Sequence, residues 1–343
     1  MNLLITGGCG YIGSLLIRQL PLAFNDRIRV TILDNLSSGK EQVLANLTSK
    51  ADYRFMRGDV LKKEDLLKAV KNNDIVIHLA AVTGAGDSFD MPSLYNQVNY
   101  EGTKNVLEIC VEQGIERIIY ASTCNVYGGK REETKLTEES PIIPPNPYAE
   151  SKYKGELDCL KYFKKLRLPV VCLRFATNYG WAPGIRFNLA INLFTFKAII
   201  GEKIVIFNSG EDWRPYVHVK DTVNAIIMAI KSPEDVAVGE VFNVGSNKEN
   251  YQANQIAQLV KENIAEDVNV VHSKTNKPHF SYMVDFSKIK KKLGFETNYS
   301  VIDGIREIAE KFKQLYANNK SRVPMLKVNT KHSEDKDAFK TSP

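Results

Sequence analysis

The 343-residue chain lacks the marks of a metal, disulfide or membrane protein. Its five cysteines, Cys9, Cys110, Cys124, Cys159 and Cys172, are odd in number, and no two stand at the spacing of a metal site or a redox pair. That argues against a disulfide framework and predicts reduced thiols, a cytoplasmic location and no bound metal. No apolar run reaches the length of a membrane span. Residues 1–6 already read as a strand, which leaves no room for a signal peptide. There is no internal repeat, and charge of one sign is scarce: 46 basic residues face 40 acidic ones, for a net charge of +6. The cluster Lys288, Lys290, Lys291 and Lys292 reads as a solvated helix face, so neither a nucleic acid nor a membrane is expected as a partner. The small positive excess suits an anionic small substrate.

What the chain has is alternation. Leu3–Thr6 reads as a short buried strand, with Tyr11–Leu20 as the helix after it. Arg29–Leu33, Tyr53–Arg57, Ile75–Leu79, Arg117–Ser122 and Val170–Phe175 read as further strands, and Val98–Gln113 and Tyr148–Leu166 as helices. Continuous apolar strands between helices predict an α/β fold with a doubly wound parallel sheet covered on both faces. Such a sheet binds ligands at the carboxyl ends of its strands. After Thr177 the pattern loosens. Helices are expected near Leu189–Ile200, Val219–Ile230 and Asn254–Glu262, and strands near Ile204–Phe207 and Val241–Val244. We divide the chain into a Rossmann domain over 1–175, with its sheet completed by parts of 213–245, and a smaller, mainly substrate-binding lobe over 176–319. Residues 320–343 are polar and aperiodic and read as a mobile tail.

The first strand runs directly into Gly7-Gly8-Cys9-Gly10-Tyr11-Ile12-Gly13. Gly7, Gly10 and Gly13 are three apart, and Gly8-x-Gly10-x-x-Gly13 also satisfies the dinucleotide fingerprint. Glycines allow the tight turn and the close approach of backbone to pyrophosphate, while the helix N-terminus faces the phosphate charge. Asp34 ends the second strand, where a carboxylate accepts hydrogen bonds from ribose hydroxyls and repels a 2′-phosphate. This favours NAD over NADP, although Lys40 stands nearby. The alternative for Asp34 is a loop cap. Asp59, in Gly58-Asp59-Val60 after the third strand, either reaches the adenine amino group or caps the next helix. Ala80-Ala81 leave room for a cofactor at the sheet edge, or simply pack closely.

Tyr148 and Lys152 are four apart at a helix start marked by Pro147, so they share a face. A free phenol, with a pKa of about 10, is too weak an acid to supply a base near neutrality. A neighbouring ammonium and an oxidised nicotinamide are expected to lower it. Thr123, ending the fifth strand, offers a hydroxyl to hold the reacting oxygen. Together these three residues read as a hydride-transfer site; the alternative for the pair is a surface contact along one helix.

At this point the chain resembles the extended short-chain dehydrogenase/reductases, in their NAD-dependent nucleotide-sugar epimerase/dehydratase branch. The resemblance covers roughly residues 1–315. It is carried by Thr6–Gly13, Asp34 to Gly39, Gly58–Val60, His78–Ala81, Asn99–Thr103 and Ala121–Thr123. Further matches are Val126-Tyr127-Gly128, Pro147 to Lys152, Leu173–Phe175, Arg214 to Asp221 and Phe242–Gly245. It implies that Thr123, Tyr148 and Lys152 are catalytic. Gly7, Gly10, Tyr11, Ile12, Gly13, Asp34, Asn35, Asp59, Val60, Leu79, Ala80, Ala81 and Asn99 would line the NAD site along with Tyr148 and Lys152. A nucleoside diphosphate sugar would lie against Thr83, Thr123, Thr177, Asn178, Asn192 and Arg214. Arg214 matches the arginine that grips the diphosphate, with an interlobe salt bridge as its alternative. Asn192 is either a polar contact or a buried helix residue. A homodimer is expected through the helices Val98–Gln113 and Tyr148–Leu166, with Leu157, Leu160 and Phe163 as exposed-looking apolar residues.

Departures from the family pattern narrow the chemistry. In the 4,6-dehydratases an Asp-Glu pair follows the catalytic threonine; here Cys124-Asn125 stands in its place. Phe280 replaces an arginine near the diphosphate, with Lys277 and His279 close by. Cys124 is either a proton-transfer residue or a small packing one. The expected activity is epimerisation, most readily at C4 of a UDP-hexose through a 4-keto intermediate. A 4-ketoreductase or dehydrogenase of deoxysugar synthesis is the alternative, and a non-catalytic NAD-binding regulator on the same fold comes last.

Overall fold

The computed structural model describes residues 1–38, 40–275, 278 and 280–318. The first half of the chain comprises β1 (Asn2–Thr6), α1 (Tyr11–Ala23), β2 (Ile28–Asp34), β3 (Ala51–Arg57), α2 (Lys63–Val70), β4 (Ile75–His78), α3 (Pro92–Tyr95), α4 (Gly102–Glu112), β5 (Arg117–Thr123), β6 (Lys130–Leu136), α5 (Pro147–Leu166) and β7 (Val170–Phe175). The rest comprises β8 (Thr177–Tyr179), α6 (Ala190–Ile199), β9 (Ile204–Phe207), β10 (Trp213–His218), α7 (Val219–Lys231), α8 (Glu234–Ala237), β11 (Val241–Val244), β12 (Asn250–Gln252), α9 (Ala253–Asn263), β13 (Val270–Ser273), β14 (Ser281–Val284), α10 (Ser287–Leu293) and α11 (Val301–Asn318).

Seven strands form one parallel sheet in the order β11-β7-β5-β4-β1-β2-β3. From β1 the chain winds outward to β2 and β3, then returns to the other side of β1 with β4, so the crevice of the fold opens at the ends of β1 and β4. Leu3, Leu4 and Ile5 are fully buried, as a strand covered on both faces requires. Residues of α1 and α7 pack one face, and residues of α2, α4 and α5 the other. The doubly wound α/β architecture predicted from the alternation is therefore present. Of the stretch 213–245, only β11 joins this sheet. β10 pairs with β8 and β12 in a smaller one.

The helix expected over Val98–Gln113 begins earlier. Pro92 opens α3, and a wider π-type segment, Asn96–Glu101, leads into α4. A three- and four-residue periodicity cannot register that extra residue per turn. The lysine cluster is a surface face as expected: Lys288 pairs with Glu240 at 2.8 Å, Lys290 with Glu296 at 2.6 Å, and Lys292 also reaches Glu240. All five cysteines are buried and unpaired. Among the described residues no helix is long and apolar enough to cross a membrane, and no cluster of metal ligands occurs. Gly39, Lys277, His279 and the segment 320–343 lie outside the described residues.

Candidate active site

The turn between β1 and α1 is built without space for side chains. Gly7 has a φ of +73°, and a Cβ there would stand 2.7 Å from the backbone of Ala80. At Gly13 it would stand 2.6 Å from the Gly7 carbonyl oxygen. The loop after β4, carrying half-buried Leu79, Ala80 and Ala81, thus lies directly on the glycine turn. Helix α1 starts after Gly10 with no side-chain cap and no acidic residue in its first turn, leaving the amides around Tyr11, Ile12 and Gly13 available to an anion.

The carboxylates at the strand ends have local work as well. Asp34 Oδ2 accepts from the Cys9 amide and Oδ1 from the Leu36 amide, both at 2.9 Å. It braces the glycine turn and caps its own loop. Asp59 accepts from the Leu61 amide at 2.9 Å and from Asn35 Nδ2 at 3.2 Å, beside buried Val60. Lys40 does not await a phosphate: its ammonium donates to the carbonyls of Gly184 (2.8 Å) and Ile185 (3.2 Å). Asn99 is fully buried; its amide accepts from Val82 N at 2.8 Å and donates to Val82 O and Ser151 Oγ. It therefore stands behind the site, holding the Val82 loop.

Thr123 ends β5, and Tyr148 and Lys152 stand in the first turns of α5. Asn146 caps α5 by accepting from Ala149 N at 2.9 Å, which fixes the first turn that carries Tyr148. The Tyr148 side chain lies near the Thr123 hydroxyl, which favours its phenolate. Lys152 is 2% exposed, with its ammonium 4.4 Å from the centre of the Tyr120 ring. Among the described residues it has no hydrogen-bond acceptor, which leaves a buried donor for a ligand hydroxyl. Burial lowers its pKa to about 8, partly opposed by Glu156.

The electrostatics of Tyr148 also involve a residue outside the trio. Burial raises the Tyr148 phenol, and the cation that opposes this is Arg186, with a further lowering from the Thr123 hydroxyl. Arg186 sits in the connection between β8 and α6 and was not singled out in the sequence. A lone arginine in an irregular stretch carries no periodic signal, and only the folded chain brings it to Tyr148.

Behind the trio lies a buried network. Ser122 Oγ donates to Glu156 at 2.7 Å, Arg174 donates twice to the same carboxylate at 2.6 and 3.0 Å, and Arg174 Nη1 donates to the Tyr127 hydroxyl at 2.8 Å. Cys124 is buried, donates to the Arg174 carbonyl at 3.2 Å, and has its thiol pushed well up by burial. These surroundings are those of a small packing residue. The Asn125 side chain accepts from Asn146 at 3.0 Å.

The expected substrate residues divide. Arg214 is half-buried, with its guanidinium 5.2 Å from the centre of the Tyr282 ring. Among the described residues it forms no ion pair, so the interlobe salt bridge is absent. Thr83 is exposed, and Thr177 and Asn178 are half-buried, although Asn178 already accepts from Thr222 at 2.7 Å. Asn192 is fully buried and spent on Gly180, Tyr11 and the Arg186 carbonyl. These are the bonds of a buried helix residue. Phe280 packs beside the Cys124 and Tyr282 cluster.

Known proteins match this arrangement. The chain is 31% identical over 318 residues to the dTDP-glucose 4,6-dehydratase of Streptomyces niveus, covering 91% of this chain and 93% of that one. The crystal structure of the UDP-glucose 4-epimerase of Thermotoga maritima with UDP-glucose superposes with a TM-score of 0.81 at 29% identity, over 92% of this chain and 99% of that one. The UDP-glucuronic acid 4-epimerase of Bacillus cereus, solved with UDP-glucuronic acid and NAD, gives 0.82 at 28% identity, over 92% and 100%. Residues 3–245 match the NAD dependent epimerase/dehydratase family, and the chain belongs to it.

Proposed function

We propose that the chain epimerises a nucleoside diphosphate hexose, in the first instance a UDP-hexose, at C4 through a transient 4-keto sugar. The observation that carries this reading is the bonding of the two residues after Thr123. Cys124 is a buried thiol committed to the Arg174 carbonyl, and Asn125 is a neutral amide bonded to Asn146. Neither can serve as the acid or base that removal of water requires, whereas the trio for proton exchange at a C4 hydroxyl is complete. This argues against 4,6-dehydration despite the similarity to a dehydratase.

The glycine turn, Asp34 and Lys152 would hold NAD, which would supply the hydride acceptor and donor. Tyr148 takes the C4 hydroxyl proton as a phenolate and gives it back as a phenol. Thr123 fixes that phenol and offers its hydroxyl to the reacting oxygen. Lys152 holds the ribose hydroxyls. Burial raises the Tyr148 phenol, and positive charge brought beside it favours the phenolate. Arg214 grips the diphosphate as a planar fork. The chain is further proposed to pair with a second copy through α4 and α5, where Leu157 is 47% exposed.

Cofactor balance tests the reading. With NAD far below the sugar concentration, many equivalents should convert with no net build-up of reduced cofactor. Stoichiometric consumption of NADH would favour the ketoreductase instead.

A further inference from the structure

Three separate parts of the chain meet around the start of α1. Asp34, ending β2, holds the Cys9 amide of the glycine turn at 2.9 Å. The connection between β8 and α6 presses on the same turn. Gly184 N donates to Ser14 Oγ at 2.9 Å, and a Cβ at Gly184 would stand 2.8 Å from the Gly10 carbonyl oxygen. Lys40, in the loop that follows Asp34, reaches across to this connection. Its ammonium donates to the carbonyls of Gly184 at 2.8 Å and Ile185 at 3.2 Å. The Asp34 loop, the glycine turn and the β8–α6 connection thus form a ring closed through protein atoms alone, and Lys40 is its last link. Two of the links fall on Cys9, Gly10 and Ser14, at the uncapped helix start where the pyrophosphate of NAD would lie.

The two sides of the ring are held differently. The β8–α6 connection is anchored on either side of the Lys40 contact: Tyr11 Oη donates to the Gly180 carbonyl at 2.6 Å, and Asn192 Nδ2 to the Arg186 carbonyl at 2.9 Å. The loop after Asp34 is lighter. Asn35, Ser37 and Ser38 are exposed, Leu36 sits at a φ of +59°, and its internal bonds are local, from Leu36 N to Asp34 and from Ser37 N to Asn35. Lys40 itself is half-buried, and among the described residues it makes no ion pair. Its acceptors are neutral carbonyls. A charged donor makes such bonds strong enough to delay opening, while a strongly hydrated ammonium on a flexible stem can still be released to water.

We propose that Lys40 is a latch on the cofactor cleft, whose bonds to Gly184 and Ile185 open for the dinucleotide to enter and open again for it to leave. A barrier crossed in both directions changes entry and exit by the same factor and leaves affinity alone. That separates a latch from a residue that grips the cofactor, which changes affinity. For an enzyme that returns its hydride to the sugar it took it from, slow exit keeps the reduced cofactor and the keto sugar together until the second transfer. Resting on NAD at the glycine turn, the latch is independent of which sugar is turned over.

Cofactor exchange tests it without any sugar. Stopped-flow fluorescence follows NADH entering the full-length chain, and a chase with excess NAD follows it leaving. Lys40→Met keeps the apolar stem and removes the charged donor. It should speed both entry and exit about 10- to 100-fold, the range that loss of a charged hydrogen bond gives, while the equilibrium Kd changes less than about threefold. Lys40→Arg, which keeps a charged donor, should exchange NADH more slowly than Lys40→Met. Unchanged rates in Lys40→Met would overturn the latch. So would faster exit with entry unchanged and affinity weakened in proportion, which would make Lys40 a direct cofactor contact. The paired change of rates in a chain that epimerises no sugar would sink the 4-epimerase reading and leave the latch standing.

Discussion

At the scale of the residue, Tyr148 starts with burial working against its chemistry, and each neighbour can be judged by whether it offsets that. Replacing Tyr148 with Phe should lower turnover by about 10²- to 10⁴-fold, the usual worth of a positioned acid/base, while NAD affinity is retained; single-turnover kinetics beside a cofactor titration check both halves. Lys152 gives a pH signature. Its pKa in the folded chain, about 8, lies below the value of about 10.4 for a free lysine. Between these values the unfolded chain binds more protons, so stability rises with pH across that window. Denaturant unfolding at pH 7 and pH 9.5 should show the rise, and Lys152→Met should remove that part of it. Asn99 has a quieter role. Asn99→Ala would orphan the Val82 amide and carbonyl and cost about 1–3 kcal/mol, seen as a lower denaturant midpoint. Gly7, Asp34, Tyr148 and Lys152 were legible in the sequence because their meaning lies in short spacings next to strand and helix signals. Arg186 and the duties of Asn99 and Asn192 were not, because burial and partners are set by distant segments.

At the scale of the element, the connection from β8 to α6 deserves most weight, since it is irregular yet held along its length. Tyr11 Oη donates to the Gly180 carbonyl at 2.6 Å, and Trp181 N donates to Glu307 of α11 at 3.0 Å. Burial alone would raise the Glu307 carboxyl, but hydrogen bonds from His218, Lys220 and the Trp181 amide outweigh it and hold the pKa at about 2. A carboxyl depressed on folding contributes stability that is present above its unfolded value of about 4.3. That stability is lost as pH falls towards 2. Glu307→Gln should therefore lower stability at pH 7 by roughly 1–3 kcal/mol and flatten the acid side of the stability profile, which a series of thermal melts would show. The strands and most helices of the first half could be read from apolar runs. The π-type segment before α4 and the small sheets β12-β10-β8, β13-β9 and β14-β6 could not, because short strands paired across the chain leave almost no local period.

At the scale of the whole molecule, the sheet order places the glycine turn, the β4 loop and the start of α5 around one crevice, and the connection from β8 to α6 brings Arg186 within electrostatic reach of Tyr148. The proposed pairing of two copies belongs here as well. Leu157 is exposed as expected of an interface position, but Leu160 and Phe163 are half-buried, and Phe163 lies over Gly239, where a Cβ would stand 2.2 Å away. Leu157→Arg should therefore halve the mass seen by light scattering; a monomer mass for the unaltered chain would remove the dimer from the account.

The most direct test of the central claim is proton NMR of the NAD-loaded chain with UDP-glucose and, in parallel, UDP-glucuronic acid. Growth of the C4 epimer's anomeric signal is expected with at least one of the two sugars, and none with Tyr148→Phe. A new methyl signal from a 4-keto-6-deoxy sugar, or no conversion of either substrate by protein shown to hold NAD, would contradict it.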